Sequence, residues 1–319
     1  MKIHEIWRRD RNFTLFPGDC ADLLRSLPDE SVDLVLTSPP YCIGKAYEDK
    51  TKAEDFLKDH ESILPEIVRV TKTGGSICWQ VGYHVSNCVV TPLDFIIFRI
   101  LNEKCKNIFL RNRVVWTFGH GLHSADRFSG RHETLLWFTK GNAYNFNLDD
   151  IRVPQKYPGK THYKGELKGK PSGNPKGKNP TDVWDIPNVK ANHVEKTDHP
   201  CQFPIALAQR VIKALTNPGD LVLDPYAGSG TTGAAAAFSN RKFVGAELEP
   251  KYYQIAVKRV QSALKNELPF RPEDKPIYVP PQNTPLTTMP FEWKQNISCG
   301  VNARRPVIKT FAKAMLQRK

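Results

Sequence analysis

The 319-residue chain lacks several features that would place it in a membrane or in an oxidising compartment. No apolar run reaches about 18 residues, so no membrane-spanning helix is predicted. The seven cysteines are scattered and none lies in a Cys-x-x-Cys pair, so neither a disulfide framework nor a zinc site is indicated. The first residues carry charge with no apolar block behind them, unlike a signal peptide. We therefore expect a protein of a reducing compartment with no resident metal.

Acidic residues are nearly absent from two segments, and these segments account for the net charge of +13. Residues 155–180 hold seven lysines and one acid, and residues 294–319 hold seven basic residues and no acid. The rest of the chain is therefore close to neutral. Two basic segments on a neutral body favour a polyanion-binding surface, although two solvated tails would give the same composition.

Strand and helix patterns alternate along two stretches of the chain, which predicts an α/β fold with a mainly parallel sheet and helices on both faces. Strands are predicted at 32–37, 76–81, 113–118, 133–139, 221–224 and 242–247. Helices are predicted at 53–70, 204–215, 233–238 and 251–264. Residues 142–198 are rich in Gly, Pro, Lys and Asn and cannot pack a core, so they form a long loop or an inserted recognition element.

One apolar strand, 221–224, ends in Asp224 and runs into a glycine-rich turn that opens a helix. Gly228 and Gly230 allow a ligand to approach the backbone, and the helix N-terminus favours negative charge. The turn lacks the Gly-x-Gly-x-x-Gly spacing of dinucleotide-binding proteins. Glu247 ends the next strand, where a carboxylate can hold both hydroxyls of a ribose. The alternative is a tight turn beside an ordinary surface acid.

A second polar loop, Ser38-Pro39-Pro40-Tyr41, follows the strand at 32–37. Ligands of open parallel sheets bind at the carboxyl ends of the strands. The Ser38 hydroxyl and the Pro39 carbonyl could accept both N–H groups of an exocyclic amine on a nucleobase, and so free its lone pair to attack a sulfonium methyl. Tyr41 would stack on that base, flipped out of its duplex. A rigid Pro-Pro turn with a surface tyrosine is the alternative.

Together these segments resemble the amino-methyltransferases of DNA restriction-modification systems, in the permuted group whose Pro-Pro-Tyr loop precedes the cofactor loop. Thr37-Ser38-Pro39-Pro40-Tyr41 is similar to the catalytic tetrad preceded by Thr. Asp224-Pro225-Tyr226-Ala227-Gly228-Ser229-Gly230-Thr231-Thr232 is similar to the cofactor motif, with Tyr where Phe is commoner. His199-Pro200-Cys201-Gln202-Phe203-Pro204 is similar to the His-Pro-x-x-Phe/Lys-Pro element, and Gly18-Asp19 resembles the motif whose acid contacts the adenine of the cofactor.

The resemblance covers residues 16–259 apart from the insert, and it implies the Rossmann-like S-adenosylmethionine-dependent methyltransferase fold with one antiparallel hairpin strand. It implies S-adenosyl-L-methionine as cofactor, double-stranded DNA as substrate and the cytoplasm of a prokaryote or of a phage-infected cell as location. A cognate restriction endonuclease would act separately. The implied cofactor-binding residues are Asp19, His199, Asp224, Tyr226, Gly228, Ser229, Gly230, Thr231 and Glu247.

We accordingly divide the chain into four segments. Residues 1–141 form the catalytic half of the methyltransferase domain, 142–198 the target recognition insert, 199–268 the cofactor-binding half, and 269–319 a Pro-rich linker with a basic tail. The predicted DNA contacts are Arg127, Arg131, Lys156, Lys160, Lys164 and Lys168. The histidines at 120, 123 and 132, with Asp126, are interpreted as a polar loop near the substrate, not as a metal site.

The residue types leave some alternatives open. Ser38 resembles the first tetrad residue of cytosine-N4 enzymes, whereas Asp is commoner in adenine-N6 enzymes, so we predict N4 of cytosine with N6 of adenine as the alternative. An RNA methyltransferase and a non-catalytic nucleic-acid-binding module also remain. A nicotinamide oxidoreductase would leave the Ser38–Tyr41 loop without a role. Pro200-Cys201-Gln202 resembles the nucleophile motif of cytosine-C5 enzymes, but no Glu-Asn-Val partner follows, so Cys201 is expected to pack in the interior.

Overall fold

The computed structural model describes residues 12–41, 53–86, 89–119, 121, 123–125, 127–285 and 287–290. The chain divides into two units, residues 1–275 and 276–319. The described residues of the second unit form turns without a helix or strand, so every element below belongs to the first. No helix of the described segments is long and apolar enough to cross a lipid bilayer.

The first unit alternates strands and helices along the chain. The strands are β1 (Phe13–Pro17), β2 (Val32–Thr37), β3 (Thr71–Val81), β4 (Tyr83–Ser86), β5 (Val89–Pro92), β6 (Ile108–Thr117), β7 (His132–Lys140), β8 (Val183–Asp185), β9 (Leu221–Asp224) and β10 (Lys242–Glu247). The helices are α1 (Cys20–Ser26), α2 (Ala53–Val70), α3 (Leu93–Lys104), α4 (Ile205–Leu215), α5 (Thr231–Phe238) and α6 (Pro250–Leu264).

Eight of the described strands form one sheet in the order β1-β10-β9-β2-β3-β7-β6-β8, and β4 pairs with β5 in a separate hairpin. Neighbours in the large sheet are parallel except at β7, which runs antiparallel to both β3 and β6. This arrangement confirms the predicted Rossmann-like methyltransferase fold with one antiparallel hairpin strand. The strand order also places the carboxyl ends of β1, β10, β9, β2 and β3 along one edge.

Both faces of the sheet are covered because side chains alternate between the two faces along each strand. On β2, Leu34 and Leu36 pack in a cluster with buried residues of α4, α5 and α6. Val35, between them, packs in a second cluster with buried residues of α1, α2 and α3. β2 is therefore apolar at successive positions because both of its faces are buried.

β3 is longer than the sequence predicts. It starts at Thr71, directly after α2, whereas the sequence predicts a start at residue 76. The pairing register with β2 shifts between Val32 and Leu34, and Gly74 has φ +85°. Gly74 and Gly75 therefore form an irregularity inside the strand, and the predicted start of the strand is wrong.

The insert at 142–198 has little regular structure, but both of its ends are fixed to the sheet unit. Near its start, Asn147 Nδ2 donates to the Thr216 carbonyl at 2.8 Å. Near its end, β8 pairs in parallel with β6, and Trp116 Nε1 donates to the Ile186 carbonyl at 2.8 Å. Between these anchors, Val153 and Lys178 pair through two backbone hydrogen bonds. The predicted boundaries between the four segments stay predictions.

Candidate active site

The two predicted loops lie side by side at the carboxyl edge of the sheet. β2 and β9 are adjacent and parallel, with Leu34 opposite Val222 and Val35 opposite Leu223. Thr37 Oγ1, at the end of β2, donates to Asp224 Oδ1 at 2.5 Å, and Thr232 Oγ1 donates to Asp224 Oδ2 at 2.6 Å. The base of the Ser38–Tyr41 loop is therefore hydrogen-bonded, through one carboxylate, to both ends of the glycine-rich turn.

Asp224 is almost completely buried, with 1% of its surface exposed. Burial raises the pKa of its carboxyl to about 6, and the hydrogen bonds from Thr232, from Thr37 and from the Tyr226 N–H oppose that rise. Both carboxylate oxygens thus face hydroxyls of the protein. We predicted Asp224 as a cofactor contact, and the structure places it beneath the turn, where its bonds fix the position of both loops.

The glycine-rich turn requires its glycines at two positions. Gly228 and Gly230 have φ +53° and +76°, in the left-handed region. A Cβ on Gly230 would lie 2.9 Å from Ala256 Cα in α6, and one on Gly228 would lie 3.1 Å from His199 Nε2. His199 therefore packs against the turn at Gly228, and its ring meets Tyr252 edge-on with centroids 4.4 Å apart.

Arg259 on α6 supports the same turn and is not predicted by the sequence analysis. Its Nη1 donates to the Ser229 carbonyl at 2.7 Å, to Ser229 Oγ at 2.9 Å and to Thr231 Oγ1 at 3.2 Å. The guanidinium is buried, and burial lowers its pKa to about 10. The hydroxyls of Ser229 and Thr231, two predicted cofactor contacts, thus bind Arg259. A charged residue among the apolar positions of α6 is the signal that could have identified it.

The remaining cofactor candidates meet at the ends of β1 and β10. Glu247 Oε2 accepts from the Gly228 N–H at 2.7 Å and Oε1 accepts from the Glu249 N–H at 2.9 Å. Burial raises the pKa of the Glu247 carboxyl, and these two N–H groups oppose the rise. The Gly18 N–H donates to the Glu247 carbonyl at 3.0 Å, which brings the exposed Asp19 beside Glu247. Asp19 also caps α1, accepting from the Ala21 N–H at 2.7 Å.

Tyr226 packs in the same apolar cluster as Tyr41 of the Ser38–Tyr41 loop. Its ring packs edge-on against Trp79 of β3, with centroids 6.2 Å apart. Burial raises the pKa of its phenol well above the ordinary value. The ring therefore forms part of the apolar floor of the site.

Tyr41 joins the Ser38–Tyr41 loop to the two neighbouring strands β3 and β7 through its hydroxyl. Ser38 Oγ and Tyr41 Oη are 3.0 Å apart. Tyr41 Oη donates to Glu133 Oε2 at 3.4 Å and lies 3.5 Å from the Gln80 carbonyl, and Gln80 Nε2 donates to the same Glu133 oxygen. Gln80 and Glu133 are functional candidates that the sequence analysis misses. They share this edge because β7 is antiparallel, so that its first residues lie beside the last residues of β3.

The predicted DNA contacts fall on two surfaces. Arg127 and Arg131 lie between β6 and β7, close in sequence to Glu133, and the Arg127 guanidinium is 5.7 Å from the centre of the Tyr83 ring. The four lysines are exposed on the insert, at positions 156, 160, 164 and 168.

Other sequence-based predictions concern the histidines and Cys201. Residues 120 and 126 of the predicted polar loop lie outside the described residues. Within the described part of the chain, no group of three or more His, Cys, Asp or Glu could hold a metal ion. Cys201 is exposed, so its predicted interior packing is wrong: it ends a turn in which its N–H donates to His199 Nδ1 at 3.2 Å.

The fold and these two loops define an S-adenosylmethionine-dependent methyltransferase, and comparison with known proteins identifies the family. A family model for N6/N4 methyltransferases, described as DNA methylase, matches residues 32–258. The chain belongs to this family and is a DNA methyltransferase, with S-adenosyl-L-methionine as its cofactor.

Several relatives share much of the chain. Type II methyltransferase M.BglII of Bacillus subtilis is 49% identical over 243 residues, which cover 76% of this chain and 67% of that protein. Type II methyltransferase M.ScaI of Streptomyces caespitosus is 39% identical, covering 78% of this chain and 81% of that protein. The DNA adenine methyltransferase YhdJ of Escherichia coli (strain K12) is 34% identical over a segment that covers 78% of this chain and 83% of that protein.

Solved structures agree with the fold. The cytosine-N4-specific PvuII DNA methyltransferase superposes with a TM-score of 0.61 at 22% identity, covering 81% of this chain and 93% of that chain. A DNA modification methylase from Thermus thermophilus, complexed with S-adenosyl-L-methionine, superposes with a TM-score of 0.54 at 27% identity, covering 78% and 95%.

Proposed function

We propose that this enzyme transfers a methyl group to N4 of a cytosine that has been flipped out of duplex DNA. The observation that carries the proposal is the pair of bonds from Thr37 and Thr232 to Asp224. These bonds join the start of the Ser38–Tyr41 loop to the glycine-rich turn. A nucleobase held by the loop would therefore lie next to a cofactor held by the turn. Proximity of this kind supplies much of the catalysis of a one-step transfer.

The cofactor supplies an electrophilic sulfonium methyl, and the residues around the turn hold it. In this proposal Glu247 accepts hydrogen bonds from the ribose hydroxyls and Asp19 binds the adenine amine. The N–H groups at the start of α5 would be available to bind the polar end of the cofactor. Asp224, Arg259 and His199 hold the turn in place.

The target amine is activated by the catalytic loop. Ser38 Oγ and the Pro39 carbonyl each accept one N–H of the exocyclic amine, so that the nitrogen becomes more pyramidal and its lone pair leaves the ring system. That lone pair would then be free to attack the methyl group supplied by the cofactor, with cleavage of the carbon–sulfur bond and loss of the extra proton on nitrogen to water. Tyr41 stacks on the base, and its hydroxyl, 3.0 Å from Ser38 Oγ, fixes the rotamer of the serine.

Two observations bear on the identity of the base. Ser38 occupies the first position of the tetrad, where cytosine-N4 enzymes carry a serine. This residue supports cytosine as the target base. The relative from Escherichia coli, 34% identical, is named an adenine methyltransferase, and this supports N6 of adenine as the second candidate. Cytosine and adenine present the same amidine-like amine, so the mechanism is common to both.

The base is identified by product analysis. The protein is incubated with S-adenosyl-L-methionine and mixed-sequence duplex DNA, and the digested nucleosides are identified by mass spectrometry. We expect N4-methylcytosine. N6-methyladenine would overturn the choice of base and keep the mechanism, whereas 5-methylcytosine would overturn the role of Ser38. Methylation of competing RNA in preference to duplex DNA would overturn the substrate.

The biological role and the DNA contacts extend this proposal. The relatives M.BglII and M.ScaI are named Type II methyltransferases, which supports protection of host DNA against a separately acting restriction endonuclease. The exposed lysines of the insert would bind the DNA phosphates, and Arg127 and Arg131 would bind phosphates next to the target. The cytoplasmic location stays a prediction.

A further inference from the structure

One aromatic side chain near the site has no role in the fold. Phe128, between β6 and β7, is 100% exposed, the highest value among the large hydrophobic residues described. Single exposed hydrophobic residues are common on proteins and do not by themselves indicate a function. The position of Phe128 is what distinguishes it, because it directly follows Arg127 and lies three residues before Arg131.

The segment around Phe128 is packed against the catalytic loop through β4. A Cβ on Gly82 would lie 3.3 Å from the Tyr41 ring. The next residue, Tyr83, fills the space at Gly130, where a Cβ would overlap its hydroxyl, and the Arg127 guanidinium lies over the same ring at 5.7 Å. Residues on both sides of Phe128 are thus held against Tyr83, one residue from the contact with Tyr41.

This placement matches what base flipping requires. When a base leaves the duplex, its neighbours lose stacking, and an apolar side chain inserted into the gap restores part of it. Such a residue is exposed in the free protein, lies beside the pocket for the flipped base and is flanked by groups that bind phosphates. Phe128 is exposed, its neighbours Arg127 and Gly130 contact Tyr83 next to the Tyr41 ring, and it lies between two arginines that we predict to bind phosphates.

We propose that Phe128 is the wedge that enters the duplex and fills the space left by the target base, while Arg127 and Arg131 bind the phosphates on either side. This inference rests on the proposed function, since it requires a flipped base. Tyr163 on the insert is also exposed, at 90%. Phe128 is preferred because its neighbours, unlike those of Tyr163, contact residues of the catalytic edge.

The test compares a paired target with one that is already unstacked. After the methylated position has been mapped, two duplexes are made, one with the normal base opposite the target and one with an abasic site there. We expect Phe128→Ala to lower kcat/KM roughly 30-fold on the paired duplex, because stacking in the gap is lost, and to lose little on the abasic duplex, where the target leaves the stack easily. Phe128→Trp should retain activity on both.

A matched control is Phe109→Ala, at the start of β6 on the opposite edge of the sheet, which should leave both rates unchanged. An equal loss of activity by Phe128→Ala on both duplexes, or no loss on either, would overturn the wedge. A wild-type enzyme that methylates no DNA at the mapping step would instead overturn the proposed function, so the two failures can be told apart.

Discussion

At the scale of single residues, the site depends on one buried carboxylate that accepts hydrogen bonds from two threonine hydroxyls. Asp224 is held ionised at neutral pH by those hydroxyls, although burial favours its protonated form. Burial outweighs these hydrogen bonds, so the pKa of Asp224 is higher in the folded protein than in the unfolded chain. The free energy of unfolding must depend on pH through this group.

We expect Asp224 to destabilise the folded state above about pH 6 and to destabilise it less as the pH falls toward 4. The folded state binds the proton more tightly than the unfolded chain, so stability decreases as the pH rises between the two pKa values. A rise in pKa from the ordinary value of 3.8 to about 6 corresponds to roughly 3 kcal/mol. Urea unfolding of the wild type and of Asp224→Asn, from pH 4.5 to 8, measures the difference. A constant difference across this range would contradict the assignment.

Arg259 provides the second prediction at this scale. Arg259→Met should weaken binding of S-adenosyl-L-methionine roughly 10-fold, because the turn loses the bonds to Ser229 and Thr231. The melting temperature should fall little, since Nη2 of the buried guanidinium has no hydrogen-bond partner among the described residues and its burial is costly. Calorimetric titration with the cofactor is the measurement, and Arg259→Lys should recover part of the affinity. Unchanged affinity in Arg259→Met would show that the turn is held without Arg259.

The sequence predicts the residues of the site only where they stand in short motifs. Asp19, Asp224 and Glu247 each lie at or just after the end of a strand that reaches the same edge of the sheet. Gln80 and Glu133 lie within strands, and their proximity to Tyr41 depends on the pairing of β3 with β7. No local spacing encodes that pairing, so such residues cannot be found before the topology is known.

At the scale of helices and strands, the cofactor turn is fixed by the close approach of α6. Gly230→Ala should lower the melting temperature and abolish measurable cofactor binding, because a Cβ there meets the backbone of Ala256 at 2.9 Å and the residue has φ +76°. The control is Gly219→Ala, which has φ +88° but no atom within 4 Å of the added Cβ. It should lose about 1–2 kcal/mol of stability from the backbone alone and bind the cofactor normally. Similar cofactor affinity in the two variants would contradict this account.

The bounds of strands and helices with a strong apolar pattern are predicted well from the sequence. Those of elements without such a pattern are not. The bounds of β2, β9, β10 and α2 are those predicted, because each is a continuous apolar strand or a long amphipathic helix. α3 has no such signal at its start: Pro92 occupies the N-cap position and makes no side-chain cap. β8 is three residues long with an exposed residue at each end, and its place depends on pairing with β6.

At the scale of the whole molecule, the lysine-rich segment and the predicted site residues lie in different parts of the chain. The catalytic edge is built by the sheet, whereas the lysines at 156, 160, 164 and 168 lie on an insert anchored to it at both ends. The composition places this charge on the insert, but the insert has little regular structure from which its base contacts could be predicted. The recognition sequence must come from experiment.

Replacing those four lysines by glutamine should weaken binding to all DNA sequences and flatten its dependence on salt. Each lost phosphate contact reduces the slope of log K against log salt by about 0.9. Fluorescence anisotropy at several salt concentrations measures the slope. The control replaces Lys258 and Lys265, exposed on and just beyond α6, and should leave it unchanged. An unaltered slope in the fourfold variant would exclude the insert as the phosphate-binding surface.

The central claim is that Ser38 activates the target amine while the turn after β9 holds the methyl donor. The most direct test is single-turnover transfer of a labelled methyl group to duplex DNA by Ser38→Ala, with cofactor and DNA affinities measured on the same protein. We predict a rate reduced roughly 10²- to 10³-fold, as for the loss of one group that stabilises a transition state, with both affinities unchanged. Transfer at the wild-type rate would contradict the account.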